Sequence, residues 1–276
     1  MATGDRPLEG RVAFITGAAR GQGRAHAARL ARDGASIIAV DICDDVAAID
    51  YPQATPDDLA ATVKLVVAEG STIVAHQADV RDFAALKAAF DDGVEQLGNR
   101  VDIVIANAGV VRFGADEDAL ATWRDIIDVN LTGVFHTVRV AIPTMVAGGR
   151  GGSIVITSST AGIRAVGKDT AGVQAYAASK RGLVGLMQVL ANDLAKHMIR
   201  VNTIHPTGVV SGMTQNEAMA AMVAANDPSL AGMQNALPIE ILQPEDIANA
   251  VAWLVSDVAN YITGVQLPLD AGFAVR

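Results

Sequence analysis

The chain has 276 residues, roughly 1.8 times a typical 150-residue domain, so one large domain or two small ones are the alternatives. Apolar residues make up 51% and charged residues 18%, and a chain of this length buries enough surface to need no disulfide or metal staple. The balance of 21 basic and 30 acidic residues gives a net charge of −9, which argues against nucleic acid or an anionic membrane as partner. The single cysteine, Cys43, excludes an internal disulfide framework and fits a reducing compartment. The first ten residues carry neither a basic start nor an apolar run, and no apolar stretch reaches membrane-spanning length, so a cytoplasmic protein with no membrane contact is expected.

In chain order, short β-branched apolar runs at 12–16, 36–40, 72–75, 101–106, 153–157 and 200–204 predict buried strands. Helical spacing occupies 23–33, 57–69, 83–97, 123–146 and 177–197 between them. Continuous apolar strands alternating with helices predict an α/β fold: a single-domain Rossmann arrangement, a doubly wound and mostly parallel sheet covered by helices on both faces. No Pro/Ser-rich linker divides the chain. The expected layout is a core over 10–205, a substrate-lid segment over 206–243, and a helix and strand over 244–276. Two segments interrupt the alternation: a polar connection over 42–56 with two prolines, and a Met- and Ala-rich stretch over 208–243. Loops this long inside a domain are commonly functional.

The first strand runs into Thr16-Gly17-Ala18-Ala19-Arg20-Gly21-Gln22-Gly23 and then a helix. Glycines there permit a tight turn and close backbone approach, and the helix N-terminus offers unpaired N–H groups to a diphosphate. Gly17, Arg20, Gly21, Gln22 and Gly23 are therefore the candidate dinucleotide turn. Asp41 ends the second strand, 18 residues beyond Gly23. Its carboxylate suits an adenosine ribose 2′-OH and repels a 2′-phosphate, and no Lys or Arg follows until Lys64, so NAD is expected over NADP. Ile42 adjoins it. Tyr176 and Lys180 are four residues apart, about 40° around a helix, and face one side. A nearby ammonium, with the positive nicotinamide ring, lowers the pKa of a tyrosine that acts as base. Ser159, in Ser158-Ser159-Thr160-Ala161-Gly162, lies at the C-terminal end of the fifth strand, where open α/β sheets place ligands.

Thr16–Gly23, Asn107-Ala108-Gly109 and Tyr176-Ala177-Ala178-Ser179-Lys180 together resemble the short-chain dehydrogenase/reductase family. The resemblance runs from about Gly10 to Gly272. It implies adenine contacts from Asp79 and Val80, contacts along the cofactor from Asn107, Ala108 and Gly109, and carboxamide contacts from Pro206 and Val209. It also selects Ser159 over Ser158 as the residue that orients the substrate oxygen. Asn130 is implied to be the fourth catalytic residue, holding a water between the lysine and solvent. The Ser159–Tyr176 spacing of 17 residues exceeds the family's usual one, and the extra residues are placed in 162–170. Within the family the chain looks closest to the NAD-dependent branch of carveol dehydrogenases and mycofactocin-associated oxidoreductases. The features are Gly21-Gln22-Gly23-Arg24-x-His26, Val40-Asp41-Ile42-Cys43, the 42–56 insertion and His205-Pro206-Thr207. That branch implies tightly held NAD, recycling by an external electron carrier, and a homotetramer with interfaces from the Trp123 and Tyr176 helices.

The expected activity is hydride transfer between a hydrophobic secondary alcohol, a terpene alcohol such as carveol, and NAD. A ketoacyl or steroid reductase is the alternative enzyme, and a non-catalytic NAD sensor the alternative of another class. The five histidines, His26, His76, His136, His197 and His205, have no metal-ligand spacing, so no metal site is expected. Cys43 receives no catalytic role. Met213, Met219, Met222 and Met233 suit an adaptable apolar pocket.

Overall fold

Strands without polar alternation are those buried on both faces, and the structure, a computed structural model, places them so. It describes residues 6–164, 169–227, 230 and 232–276. The strands are β1 (Val12–Thr16), β2 (Ser36–Asp41), β3 (Ile73–Gln77), β4 (Ile103–Ala106), β5 (Gly152–Thr157), β6 (Ile199–Pro206) and β7 (Gln266–Leu269). They form one sheet in the order β3-β2-β1-β4-β5-β6-β7, every neighbouring pair parallel. The winding reverses between β1 and β4, and the crevice beyond their C-terminal ends is where such a sheet binds ligands.

The helices are α1 (Gly21–Arg32), α2 (Pro56–Ala68), α3 (Phe83–Gln96), α4 (Ala119–Ile127), α5 (Gly133–Gly148), α6 (Ala171–Leu194), α7 (Glu217–Ala224) and α8 (Pro244–Val255). Polar side chains start several of them. Thr55 and Asp58 form a reciprocal capping box at α2, and Asp82, Asp118, Thr170 and Asn216 cap α3, α4, α6 and α7. Successive strand residues point to opposite faces. Phe14, Ile38, Phe90 and Val104 therefore fill one core, while Ile15, Ile37, Leu30 and Ile105 fill the other. Phe14 and Phe90 meet edge-on with ring centres 5.0 Å apart.

Three expectations are corrected. The single helix over 123–146 is α4 and α5 joined by a π-helical turn, Asp128–Thr132, which carries Asn130. A one-residue widening of the helix is invisible to a 3.6-residue period. Helix α6 begins at Ala171, ahead of the expected 177, and carries both Tyr176 and Lys180. The 208–243 segment contains α7 and a parallel bridge between Val209 and Leu242.

The 42–56 insertion has no helix or strand before α2 begins at Pro56, yet it is fastened along its length. The Ala48 carbonyl accepts from Arg112 Nη1 at 3.0 Å, its N–H donates to Asp125 at 3.3 Å, and Asp50 accepts from the Gly114 N–H at 2.9 Å. It therefore spans from the end of β2 to the segment after β4. Among the described residues no helix is long and apolar enough to cross a membrane.

Candidate active site

The turn after β1 is built on two close approaches. Gly17 has a φ of +67°, and a Cβ there would lie 2.8 Å from Ala108 Cα. A Cβ on Gly23 would lie 1.9 Å from the Gly17 carbonyl oxygen. Glycine at both positions lets α1 start directly against the turn. No side chain caps the α1 N-terminus, so its first N–H groups and positive dipole end face the crevice. Asn107 Nδ2 ties the turn to β4 by donating to the carbonyls of Thr16 and Gly17 at 3.2 and 3.1 Å.

Asp41 closes the far end of the cradle. Its two carboxylate oxygens accept from the N–H groups of Ala19 at 2.9 Å and Cys43 at 3.2 Å. The Cys43 thiol lies 4.0 Å from Oδ1 as a third, weak donor, and since a carboxylate has about four lone-pair sites, one remains on Oδ2 for a ligand hydroxyl. Burial and the charges of Asp41 and Asp58 push the Cys43 thiol up to about 12, so it is inert as a nucleophile.

The catalytic candidates converge beyond β5. Ser159 starts a short 3₁₀ turn, Thr160–Gly162, and its Oγ accepts from the Ala161 N–H at 3.2 Å. Ser158 turns the other way and donates to the Lys180 carbonyl at 2.8 Å, which pins β5 to α6. Lys180 Nζ donates to the Thr157 carbonyl at 2.8 Å and lies 5.6 Å from the Tyr176 ring centre. Asn130 is wholly buried and clamps Val110: its Oδ1 accepts from the Val110 N–H and its Nδ2 donates to the Val110 carbonyl, each at 2.8 Å. A Cβ at Gly109 would lie 3.2 Å from Lys180 Nζ and 3.3 Å from Asn130 Oδ1, so the bare glycine leaves space between those two groups.

Burial dominates the electrostatics of the Tyr176 and Lys180 pair. Burial raises the Tyr176 hydroxyl above its ordinary range, and the hydrogen bond from Ser159 draws it back. Burial also pulls Lys180 down to about 8, with its ammonium held at the Thr157 carbonyl.

One cavity of about 500 Å³ joins these parts. Gly17, Arg20, Gly21, Gln22, Asp41, Ile42, Asp79, Val80, Asn107, Ala108, Gly109, Ser159, Tyr176, Lys180, Pro206 and Val209 all line it. Gly23 and Asn130 stand behind its wall, the first against Gly17 and the second beneath Val110. A family model described as short chain dehydrogenase matches residues 11–221.

The chain belongs to the short-chain dehydrogenase family. It is 58% identical over 270 residues to an uncharacterized oxidoreductase of Mycobacterium tuberculosis, covering 98% of each chain. It is 47% identical over 279 residues to the (−)-trans-carveol dehydrogenase of Rhodococcus erythropolis, covering 98% of this chain and 99% of that one. A crystal structure of carveol dehydrogenase from Mycobacterium avium in complex with NAD matches with a TM-score of 0.91 at 46% identity, over 98% of this chain and 99% of that one.

Several lining residues of this short-chain dehydrogenase escape a motif search. Tyr51, Val46, Gln53 and Ala54 come from the 42–56 insertion, and Phe113, Val173 and Phe273 from three distant segments. Tyr51 is nearly fully buried, its Oη accepts from the Val111 N–H at 3.4 Å, and burial pushes its hydroxyl up to about 12. The one signal for it was an aromatic residue inside an otherwise polar insertion. Arg20 donates to the Pro52 carbonyl at 2.9 Å and packs on Gly212, where a Cβ would lie 2.7 Å from its guanidinium. The insertion, the glycine turn and the 208–243 segment thus meet at one side chain. Met213, Met219 and Met233 line the cavity, whereas Met222 is buried in packing. The extra residues between Ser159 and Tyr176 fall partly at 165–168, outside the described residues. Among the described residues no three His, Cys, Asp or Glu side chains are grouped to hold a metal ion.

Proposed function

We propose that this short-chain dehydrogenase is NAD-dependent and interconverts a hydrophobic secondary alcohol, of the size of a terpene alcohol such as carveol, with its ketone. The observation that carries the proposal is one cavity with a dinucleotide cradle at one end, Ser159, Tyr176 and Lys180 at its middle, and apolar walls beyond. Phe113, Val173, Met213, Met219, Met233 and Phe273 supply those walls. The NAD-bound relative and the carveol dehydrogenase at 47% identity support the same reading.

The residues fit a dinucleotide. Gly17 and Gly23 leave the backbone bare where a diphosphate must approach, the α1 N-terminus supplies donors, and Asp41 accepts from a ribose 2′-OH. The Asp41 carboxylate repels a 2′-phosphate, which favours NAD over NADP. Asp79 and Val80 flank the adenine end, and Pro206 and Val209 the nicotinamide end. When bound, NAD supplies the hydride acceptor at the alcohol carbon. Tyr176 Oη takes the hydroxyl proton, and Ser159 Oγ orients the substrate oxygen. Lys180 stands next to Tyr176, and the gap over Gly109 accommodates a water that leads the proton from Lys180 past Asn130 to solvent. The neutral tyrosine favoured by burial returns its proton in the reverse direction.

The fastened 42–56 insertion covers the adenosine half of the cradle, which supports slow cofactor release and recycling of the bound cofactor by an external electron carrier. Exposed Leu120, Trp123, Phe135 and Val189 on α4, α5 and α6, and Trp253 and Tyr261 on and after α8, support a homotetramer. The reduced Cys43 suits the cytoplasm. Turnover of a panel of secondary alcohols with NAD and with NADP tests the reading. NAD-linked oxidation of apolar cyclic alcohols is expected, and preference for NADP or for charged substrates contradicts it.

A further inference from the structure

His205 sits on β6 beside the end of β5, with no exposed surface. Its Nδ1 is 2.8 Å from the Ser159 carbonyl oxygen, and its Nε2 is 2.9 Å from Thr203 Oγ1. Burial lowers its pKa, the Ser159 carbonyl and Asp270 oppose this, and Lys180 and Arg181 add to it; the net shift is downward, so the ring is neutral at neutral pH and carries a single N–H. The Ser159 carbonyl can only accept. The hydrogen therefore resides on Nδ1, and Nε2 accepts from the Thr203 hydroxyl.

The same ring supports the whole turn above it. A Cβ on Gly162 would lie 3.3 Å from His205 Cε1, so the 3₁₀ turn rests directly on the imidazole. The Ser159 carbonyl also accepts from the Gly162 N–H at 2.8 Å, and its Oγ accepts from the Ala161 N–H. Ser159 is thus held within its turn by two backbone N–H groups and from the neighbouring strand by one side-chain donor. We infer that His205 is a positioning residue: its Nδ1–H fixes the Ser159 carbonyl and thereby aims the Ser159 hydroxyl at Tyr176. The inference rests on the alcohol-dehydrogenase reading for the roles of those two residues.

A side chain that only filled space would be replaceable by another ring, whereas a donor would be replaceable by another donor. His205→Phe keeps the ring without the N–H, and His205→Asn keeps a donor near Nδ1. With NAD and (−)-trans-carveol, His205→Phe is expected to lower kcat at least about tenfold through misplacement of Ser159, with the NAD dissociation constant within about twofold. His205→Asn recovers most of that loss. The charged or titratable groups facing Tyr176 are Lys180 on α6 and Tyr51 from the insertion; the His205 substitutions alter neither, and where Tyr51 is replaced for absorbance the His205 variants are compared within that same background. Because the Ser159 bond lowers the Tyr176 pKa, its loss moves the tyrosine ionisation in the pH–rate profile upward.

The chain has three tyrosines. The shift is therefore also readable without turnover, as tyrosinate absorbance of NAD-loaded protein in which Tyr51 and Tyr261 are Phe. If His205→Phe fails to fold, Thr203→Val removes the hydroxyl that anchors Nε2, loosens the ring that holds the Ser159 carbonyl, and is expected to give a smaller upward shift with a smaller loss of kcat. An unshifted Tyr176 midpoint in the folded variant overturns the inference. Absence of carveol turnover in the unaltered protein overturns the activity reading instead, and the absorbance titration still decides the role of His205.

Discussion

Replacing Gly23 by alanine places a methyl carbon 1.9 Å from the Gly17 oxygen, 2.7 Å from its carbon and 2.9 Å from Asn107 Nδ2. An ordinary carbon–oxygen contact is about 3.3 Å, so the start of α1 and the turn must separate by roughly 1.4 Å. Both contacts at the turn are backbone, which cannot swing aside as a flexible side chain would. Overpacking of this kind costs about 1–3 kcal/mol of stability, a fall in Tm of roughly 2–12 °C for a domain of this size. The effect on the cofactor is larger, because the displaced atoms are the α1 N–H groups directed at the diphosphate. Losing two charge-assisted hydrogen bonds of about 1.5–3 kcal/mol each weakens NAD binding at least about 100-fold. Calorimetric titration with NAD measures this directly, with circular dichroism to verify that the fold persists. An NAD dissociation constant within about threefold of the unaltered protein would refute the claim that this turn holds the diphosphate.

Three further outcomes follow from buried polar groups. Lys180, depressed from 10.5 to about 8, carries a burial cost of about 3 kcal/mol that is fully present below pH 8 and relieved as pH rises towards 10.5. Lys180→Met is therefore expected to unfold at a similar or higher temperature at pH 7 while turnover falls at least about 100-fold; a loss of more than about 3 kcal/mol of stability contradicts this. His26 is wholly buried, neither ring nitrogen has a partner among the described residues, and its pKa falls to about 4. The unfolded chain binds a proton below pH 6.5 that the folded one refuses down to about 4, so stability drops as pH falls through that window. At pH 5 the loss is about 2 kcal/mol, and the stabilisation from His26→Leu in denaturant titrations should grow by that amount between pH 7.5 and 5. An equal effect at both pH values sinks the assignment. Tyr51→Phe unpairs the Val111 N–H and loosens the insertion, which should speed NAD release by about fivefold to tenfold, the equivalent of one hydrogen bond. Exchange of labelled NAD at an unaltered rate would count against the insertion as a cover.

The sheet was legible because buried parallel strands write themselves as unbroken apolar runs. The boundaries of β1 match the sequence expectation, and β2, β5 and β6 differ from it by at most two residues at either end. The cofactor turn was legible for a similar reason: glycine at 17 and 23 is demanded by backbone contact, and that demand is local in sequence. Tyr51 was not legible, since it reaches the cavity through a loop whose path depends on distant anchors such as Arg112 and Asp125, and Phe113 and Phe273 come from segments far from the motifs in sequence. The π turn at Asn130 hid inside a helical period it disturbs by a single residue. His205 appeared only as part of a motif, because its meaning depends on the pairing of β5 with β6. Spacing along a helix shows that Lys180 is near Tyr176, and not that its ammonium donates to the Thr157 carbonyl.

The central claim is that Tyr176 performs proton transfer in an NAD-linked alcohol oxidation. Tyr176→Phe, compared with the unaltered protein for both NAD affinity and the rate of NADH formation from (−)-trans-carveol, tests it most directly. The account predicts NAD affinity within about threefold and a rate lower by at least about 100-fold. Turnover near that of the unaltered protein would contradict it.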